Sequence, residues 1–412
     1  MDEVKDPQEL AEPSPPKLDL ISQAINLVAD ESNGIVGDIL RFSLLFGVLA
    51  LFGHVKDTFY LVYRCGSPFA SEGDLSLGKC ARVSQLESCR KVVVHHSSQL
   101  AFALCGPGET YYRSRFPILD IWNYPNHAGK ENSKLYTYNL KLQTAFLQEL
   151  EGDLSGLVLN FNSLGVSQEK VDGKVLLSIG STQDQSTEAV FLLEYDLEKS
   201  QVALLRTLIF HDLGLVERVM PISNDSYYIA FSPNPLGWRG KLSSIAYSKE
   251  GVTMLCDDLG CSIISTNAGA SGLAVNAKGE KMYLAGRYST DISVGLHNIA
   301  RNPFEQALPT GLALINLGWD PASDSGFVIG TPKPFPLNFG ARAGLSIQIL
   351  LFKQKSIGIV NLNSGPPTYT TELIYHKHIA DPFGDAYIDL SSKSLFLVSP
   401  FAGSRGLYTC NL

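Results

Sequence analysis

Asn276-Ala-Lys-Gly-Glu-Lys-Met-Tyr-Leu-Ala285 is a turn followed by a short apolar, β-prone run. Asn, Lys and Gly supply the turn conformations, and Met-Tyr-Leu-Ala suits a pleated, buried surface. The same plan recurs along the chain. It is found in His96-Ser-Ser-Gln-Leu-Ala-Phe-Ala-Leu104, Val171-Asp-Gly-Lys-Val-Leu-Leu-Ser-Ile179 and Asn224-Asp-Ser-Tyr-Tyr-Ile-Ala-Phe231. Asp320-Pro-Ala-Ser-Asp-Ser-Gly-Phe-Val-Ile329 and Ser391-Ser-Lys-Ser-Leu-Phe-Leu-Val398 continue it. Six such units predict an all-β, six-bladed β-propeller with insertions between blades. A β-sandwich with long loops is the alternative from pattern alone.

The chain has 412 residues, of which 45% are hydrophobic and 18% charged, enough to bury one large all-β core. Its net charge of -8, without a Lys/Arg-rich stretch, argues against nucleic acid as a partner. The seven cysteines (Cys65, Cys80, Cys89, Cys105, Cys256, Cys261, Cys410) form no pair of CxxC motifs, which disfavours zinc ligation through sulfur. Oxidised or inert core thiols are both open to them, depending on compartment. Cys256-Asp-Asp-Leu-Gly-Cys261 is a candidate small disulfide loop.

Residues 1–37 are rich in Asp, Glu and Pro and read as an acidic, disordered tail. An apolar stretch follows, Phe42 to Gly53, framed by Arg41 and by His54 and Lys56. Its twelve uninterrupted apolar residues fall short of the ~20 that comfortably cross a bilayer. Extension to residues 38–62 requires Arg41 and Asp38 to snorkel toward the interface. The segment reads as a signal-anchor helix in the lipid bilayer, against a buried helix or a cleaved signal peptide. Residues 63–412 then form the propeller. The flanking cations, Arg41 before and Lys56 and Arg64 after, slightly favour the opposite orientation to the one adopted below.

Cys80-Ala-Arg-Val-Ser-Gln-Leu-Glu-Ser-Cys-Arg-Lys91, running without a gap to Leu100-Ala-Phe-Ala-Leu-Cys-Gly106, resembles the first propeller strands of the paraoxonase and arylesterase family. Phe161-Asn-Ser-Leu-Gly-Val-Ser167, Ser271 to Ala285, Leu317-Gly-Trp-Asp-Pro321 and Gly406-Leu-Tyr-Thr-Cys-Asn-Leu412 continue the resemblance in consistent order. The anchor, Leu45-Phe-Gly-Val-Leu-Ala-Leu-Phe52, is similar to the retained hydrophobic amino terminus of those enzymes. The resemblance implies that first and last strands share a blade and that Cys80 and Cys410 are disulfide-bonded across it. Such a bond requires an oxidising lumen, so the expected topology is a cytosolic amino terminus with the propeller lumenal or extracellular. Asn224, in Asn224-Asp225-Ser226, is the chain's one glycosylation sequon and is compatible with that side.

Members of the family hold two calcium ions in the tunnel. The resemblance places the altered counterparts of those ligands at Lys91, Val92, Glu217, Arg218, Ser271 and Ile315, and leaves Asn316 as the family has it. The family's histidine pair falls on Leu164 and on Ile179-Gly-Ser-Thr182, and a third histidine near Thr331. Lys91 and Arg218 are expected to pair with Glu217 and Glu87, replacing the metal's charge by fixed charge. No cofactor is expected on this reading.

There is no GxSxG elbow, HExxH or Walker loop. His95-His96 reads as a solvated or core pair on a turn; His376 and His378 share one strand face at i, i+2. The resemblance extends to nematode paraoxonase-like membrane proteins that assist degenerin-type sodium channels in the endoplasmic reticulum. The expected function is therefore non-enzymatic, assisting folding, assembly or surface delivery of membrane proteins such as degenerin or epithelial sodium channel subunits. Localisation follows as endoplasmic reticulum, plasma membrane or both. A calcium-dependent arylesterase or lactonase with a rearranged site is the alternative, and a lipid or small-ligand carrier a third.

Overall fold

The computed structural model describes residues 80–106, 133–232, 251–297, 304–331, 345–354, 369–379 and 385–411, apart from 88, 153–156, 185, 224, 267–269, 277, 287–288, 391 and 400–405. The expected tail (1–37), the anchor (38–62), Cys65 and the sequon residue Asn224 lie outside the described residues. Among the described residues no helix is long and apolar enough to cross a membrane.

The described chain is built from strands. A short strand, β1 (Cys80–Arg82), precedes β2 (Cys89–His95), β3 (Leu100–Cys105), β4 (Lys134–Asn139) and β5 (Thr144–Gln148). Next come β6 (Leu150–Glu151), β7 (Phe161–Val171), β8 (Lys174–Thr182), β9 (Thr187–Asp196) and β10 (Gln201–His211). The third group is β11 (Leu215–Pro221), β12 (Tyr227–Ser232), β13 (Val252–Asp257) and β14 (Gly260–Ser265); the fourth is β15 (Ala270–Val275), β16 (Lys281–Gly286), β17 (Asp291–Leu296) and β18 (Phe304–Pro309). The fifth is β19 (Ala313–Asp320), β20 (Ser325–Thr331), β21 (Leu345–Gln354) and β22 (Tyr369–Ile379). β23 (Asp385–Asp389), β24 (Ser394–Ser399) and β25 (Gly406–Asn411) end the chain.

Among the described residues these strands pair into six sheets, most of them four-stranded meanders of consecutive strands. The exception decides closure: β1 pairs antiparallel with β25 in the order β1-β25-β24-β23, so both ends of the domain share one sheet. The first strands of successive sheets touch in turn, β2 on β7, β7 on β11, β11 on β15, β15 on β19, β19 on β23 and β23 back on β2. This closed ring of inner strands makes the fold a β-propeller.

Each repeated unit of the sequence falls on the turn and second strand of one sheet: β3, β8, β12, β16, β20 and β24. Second strands are flanked on both sides within the sheet and packed on both faces, so they read as continuous apolar runs. β3 and β12 are buried at every position. Fully buried Phe102, Phe161, Phe191, Phe327 and Phe396 anchor the interior.

The seam is covalently fixed. Cys80 and Cys410 face each other in register across β1 and β25 and form a disulfide with a sequence separation of 330. Two further disulfides join directly opposed residues, Cys89 with Cys105 across β2 and β3, and Cys256 with Cys261 across the β13–β14 hairpin.

Candidate functional site

Five inner strands carry the same irregularity near their beginning. The pairing register slips between Cys89 and Lys91, Phe161 and Ser163, Val216 and Arg218, Ala270 and Gly272, and Leu314 and Asn316. A bulge re-aims side chains where an unbroken ladder would alternate them. The repeated bulge therefore builds the mouth of the tunnel, and the positions expected as altered calcium ligands lie on it or directly beside it.

Three of those positions converge. Arg218 donates from Nη2 to Asp385 Oδ1 at 3.2 Å, and Lys91 Nζ lies 3.9 Å from Asp385 Oδ2. Asn316 donates from Nδ2 to Asp385 Oδ1 and to the Ala386 carbonyl. Asp385 is fully buried, and Arg218 and Lys91 side chains are 8% and 14% exposed. A buried carboxylate needs this compensation, because desolvation of an unpaired charge costs several kcal/mol.

The expected partners of the two cations need correction. Asp385, far along the chain, is the anion they share. Glu87 precedes β2 on the rim, with its side chain 75% exposed, and pairs with Arg82 instead. Glu217, the extra residue of its bulge, accepts a hydrogen bond from Ser232 Oγ at 2.9 Å. Val92 is buried in the core. Ser271 and Ile315 lie on β15 and β19, with side chains outside the described residues; the same holds for Thr331 on β20. His376 and His378 lie on β22, the outer strand of its sheet and remote from the ring of inner strands.

The residues at the mouth do not fit calcium. The ion takes six to eight oxygens, several of them carboxylates. Here Asp385 stands between two fixed cations, and the Asn316 oxygen accepts from the backbone N–H of Leu317 at 2.7 Å.

Below the mouth the tunnel encloses a cavity of about 80 Å³. Its walls are mostly apolar, among them Val93, Leu164, Val219 and Leu273, with Arg218 and Asn316 at the mouth and Tyr387 deeper along β23. Two glycines let inner strands close in. A Cβ on Gly165 would meet the Val219 carbonyl oxygen at 1.9 Å, and one on Gly272 would meet Leu317 N at 2.3 Å.

At the other end of β23 the buried polar groups are different. His96, on the short helical turn after β2, places Nδ1 3.2 Å from Asp389 Oδ1 and 3.3 Å from Asp320 Oδ1. Both carboxylates are fully buried and His96 is 6% exposed. The remaining oxygens are held by turn serines: Ser323 Oγ donates to Asp320 Oδ2 at 2.5 Å and Ser392 Oγ to Asp389 Oδ2 at 2.7 Å. Tyr387 donates its hydroxyl to the Trp319 carbonyl at 3.2 Å and lies 3.4 Å from His96 Nε2. Burial, reinforced by Asp320 and Asp389, pushes the Tyr387 phenol far up, so it stays protonated.

Sequence reasoning missed Asp320, Asp389, Tyr387 and Asp385. The two aspartates were readable as turn residues followed three positions on by Ser323 and Ser392, but not as neighbours.

A third buried carboxylate, Glu188 at the start of β9, accepts from Asn162 Nδ2 at 3.0 Å and lies near Thr182 and the Val216 N–H. Burial among neutral donors pushes its carboxyl up to about 7.

No family model matches the chain, and no curated protein does. The chain is similar to several solved structures at low identity. The luciferin-regenerating enzyme is 9% identical over 81% of this chain and 95% of its own, with a TM-score of 0.46. The major allergen Mala s 1 of Malassezia sympodialis is 11% identical over 82% and 96%, at 0.48. A candidate 6-phosphogluconolactonase of Bacteroides uniformis is 14% identical over 66% and 86%, at 0.38.

Proposed function

We propose that this chain is a non-enzymatic, membrane-tethered, six-bladed propeller of the paraoxonase type. It assists folding, assembly or surface delivery of membrane proteins, with degenerin-type sodium channels as the expected clients. The observation that carries the reading is Asp385 held between Arg218 and Lys91 at the tunnel mouth. A hydrolase of this type needs a doubly charged Lewis acid at that place to polarise the ester or lactone carbonyl. Fixed ammonium and guanidinium groups repel such an ion and serve packing instead. Three disulfides support a lumenal or extracellular propeller. The apolar stretch 42–53 supports a tether, and the cytosolic amino terminus follows from placing the disulfides on the other side.

The test is co-expression of the full chain with degenerin subunits, scored by surface biotinylation, beside ester and lactone hydrolysis by the purified chain. Raised surface density of the channel, with no chelator-sensitive hydrolysis, is the expected result. Calcium-dependent turnover abolished by chelation would overturn the reading and return the chain to the arylesterases and lactonases.

A further inference from the structure

The His96 cluster gathers three candidate ligand atoms in a buried place. Because Tyr387 donates its one hydroxyl proton to the Trp319 carbonyl, its oxygen faces His96 Nε2 as an acceptor. With Nε2 as the donor of that contact, Nδ1 is the ligating nitrogen that the imidazole offers on its other side. Nδ1 in turn faces Asp389 Oδ1 at 3.2 Å and Asp320 Oδ1 at 3.3 Å. No hydrogen bond reaches Asp320 Oδ1, although the atom is shut off from solvent. The three atoms all lie within 4.8 Å of one another and are buried.

We propose that His96 Nδ1, Asp320 Oδ1 and Asp389 Oδ1 bind a zinc-class divalent cation that staples the closing blade to its two neighbours. The separations suit that ion: bonds of about 2.0–2.1 Å in a tetrahedron set ligand atoms about 3.3 Å apart. A nitrogen ligand and so few oxygens disfavour calcium and magnesium. The charge also closes, since two carboxylates, a neutral imidazole and a divalent cation sum to zero.

The supporting contacts have the form that metal ligands require. Ser323 and Ser392 fix the two carboxylates through their other oxygens, and Tyr387 fixes the tautomer and ring of His96. The three ligands come from the turn after β2, the end of β19 and the end of β23, and β23 packs against both other strands. The ring of sheets begins and ends at that place. A cation there would fasten the inner edge of the seam as the Cys80–Cys410 disulfide fastens its β1–β25 pair.

The experiment uses the full chain, purified with and without added zinc and assayed by plasma mass spectrometry, zinc titration and thermal unfolding. The expected result is one zinc per chain, a higher Tm with zinc than after chelation, and no such response to calcium or magnesium. Asp320→Asn, close in shape and one charge less, is expected to lose the bound zinc and the Tm response. Ser392→Ala is expected to weaken zinc binding roughly 10- to 100-fold while the ligands remain. Zinc-free wild-type protein whose Tm ignores both zinc and chelator would overturn the proposal, leaving an imidazolium shared by two carboxylates. So would zinc retained at full stoichiometry in Asp320→Asn. Should that variant not fold, the wild-type stoichiometry and the Ser392→Ala affinity decide.

Discussion

The two ends of β23 solve one problem in opposite ways. At its start Asp385 is buried against two cations and an amide. At its end Asp389 is buried beside a second carboxylate, a histidine and hydroxyl groups. The first end meets two fixed cations; at the second the two carboxylates face a histidine, where the proposed zinc would add its charge. Glu188 is intermediate: burial, with Glu217 nearby, raises its pKa against the hydrogen bonds of Thr182, Asn162 and the Val216 N–H. What differs is the source of compensating charge, since all three carboxylates are almost completely shut off from water.

Several perturbations break or sharpen this comparison. The largest concerns the seam that holds both ends of β23 in place. Replacing Cys80 and Cys410 by serine releases a loop closed over 330 residues, with an expected loss of about 6 kcal/mol by the loop-entropy model. Urea unfolding of the variant against wild type measures it, and an unchanged midpoint would show that the seam is held by packing alone.

Asp385→Ala strands Arg218 and Lys91 without their shared anion and is expected to cost about 3–5 kcal/mol. Asp385→Leu combined with Arg218→Met should recover part of that loss, because only Lys91, with its side chain 14% exposed, then loses its shared anion. A double variant as unstable as the single one would place the cost in packing.

Glu188 gives a pH signature. Its folded pKa of about 7 is raised above the ordinary 4.5, so the folded state holds the proton more tightly than the unfolded chain does. Its contribution is fully present below about pH 4.5 and is lost as pH rises through about 7, an effect on the order of 2–3 kcal/mol. Glu188→Gln should remove this slope and be more stable than wild type at pH 8, as read by thermal unfolding across pH. A slope unchanged in the variant would assign it to another group. The smallest effect belongs to the surface: Glu87→Gln should change stability by less than about 0.5 kcal/mol, since its pair with Arg82 is solvated.

The turn-and-strand units were readable because second strands are buried on both faces and cannot hide their apolar runs; Met282–Ala285 and Phe327–Ile329 show this plainly. Lys91 and Arg218 were legible as cations facing the axis, through the resemblance of their surroundings. Their anion was not, because Arg218 and Asp385 are 167 residues apart and neither stands in a motif with the other. His96 and Asp389 are separated by 293 residues, and a lone histidine on a turn carries no mark of what packs over it.

By itself the amino-acid sequence determined the strand periodicity and the repeated unit, since these depend on neighbours along the chain. Only the tertiary structure decided which carboxylate meets Lys91 and Arg218 and which meet His96. Ring closure brings β2, β19 and β23 together from opposite ends of the chain, and charge compensation is a property of that meeting.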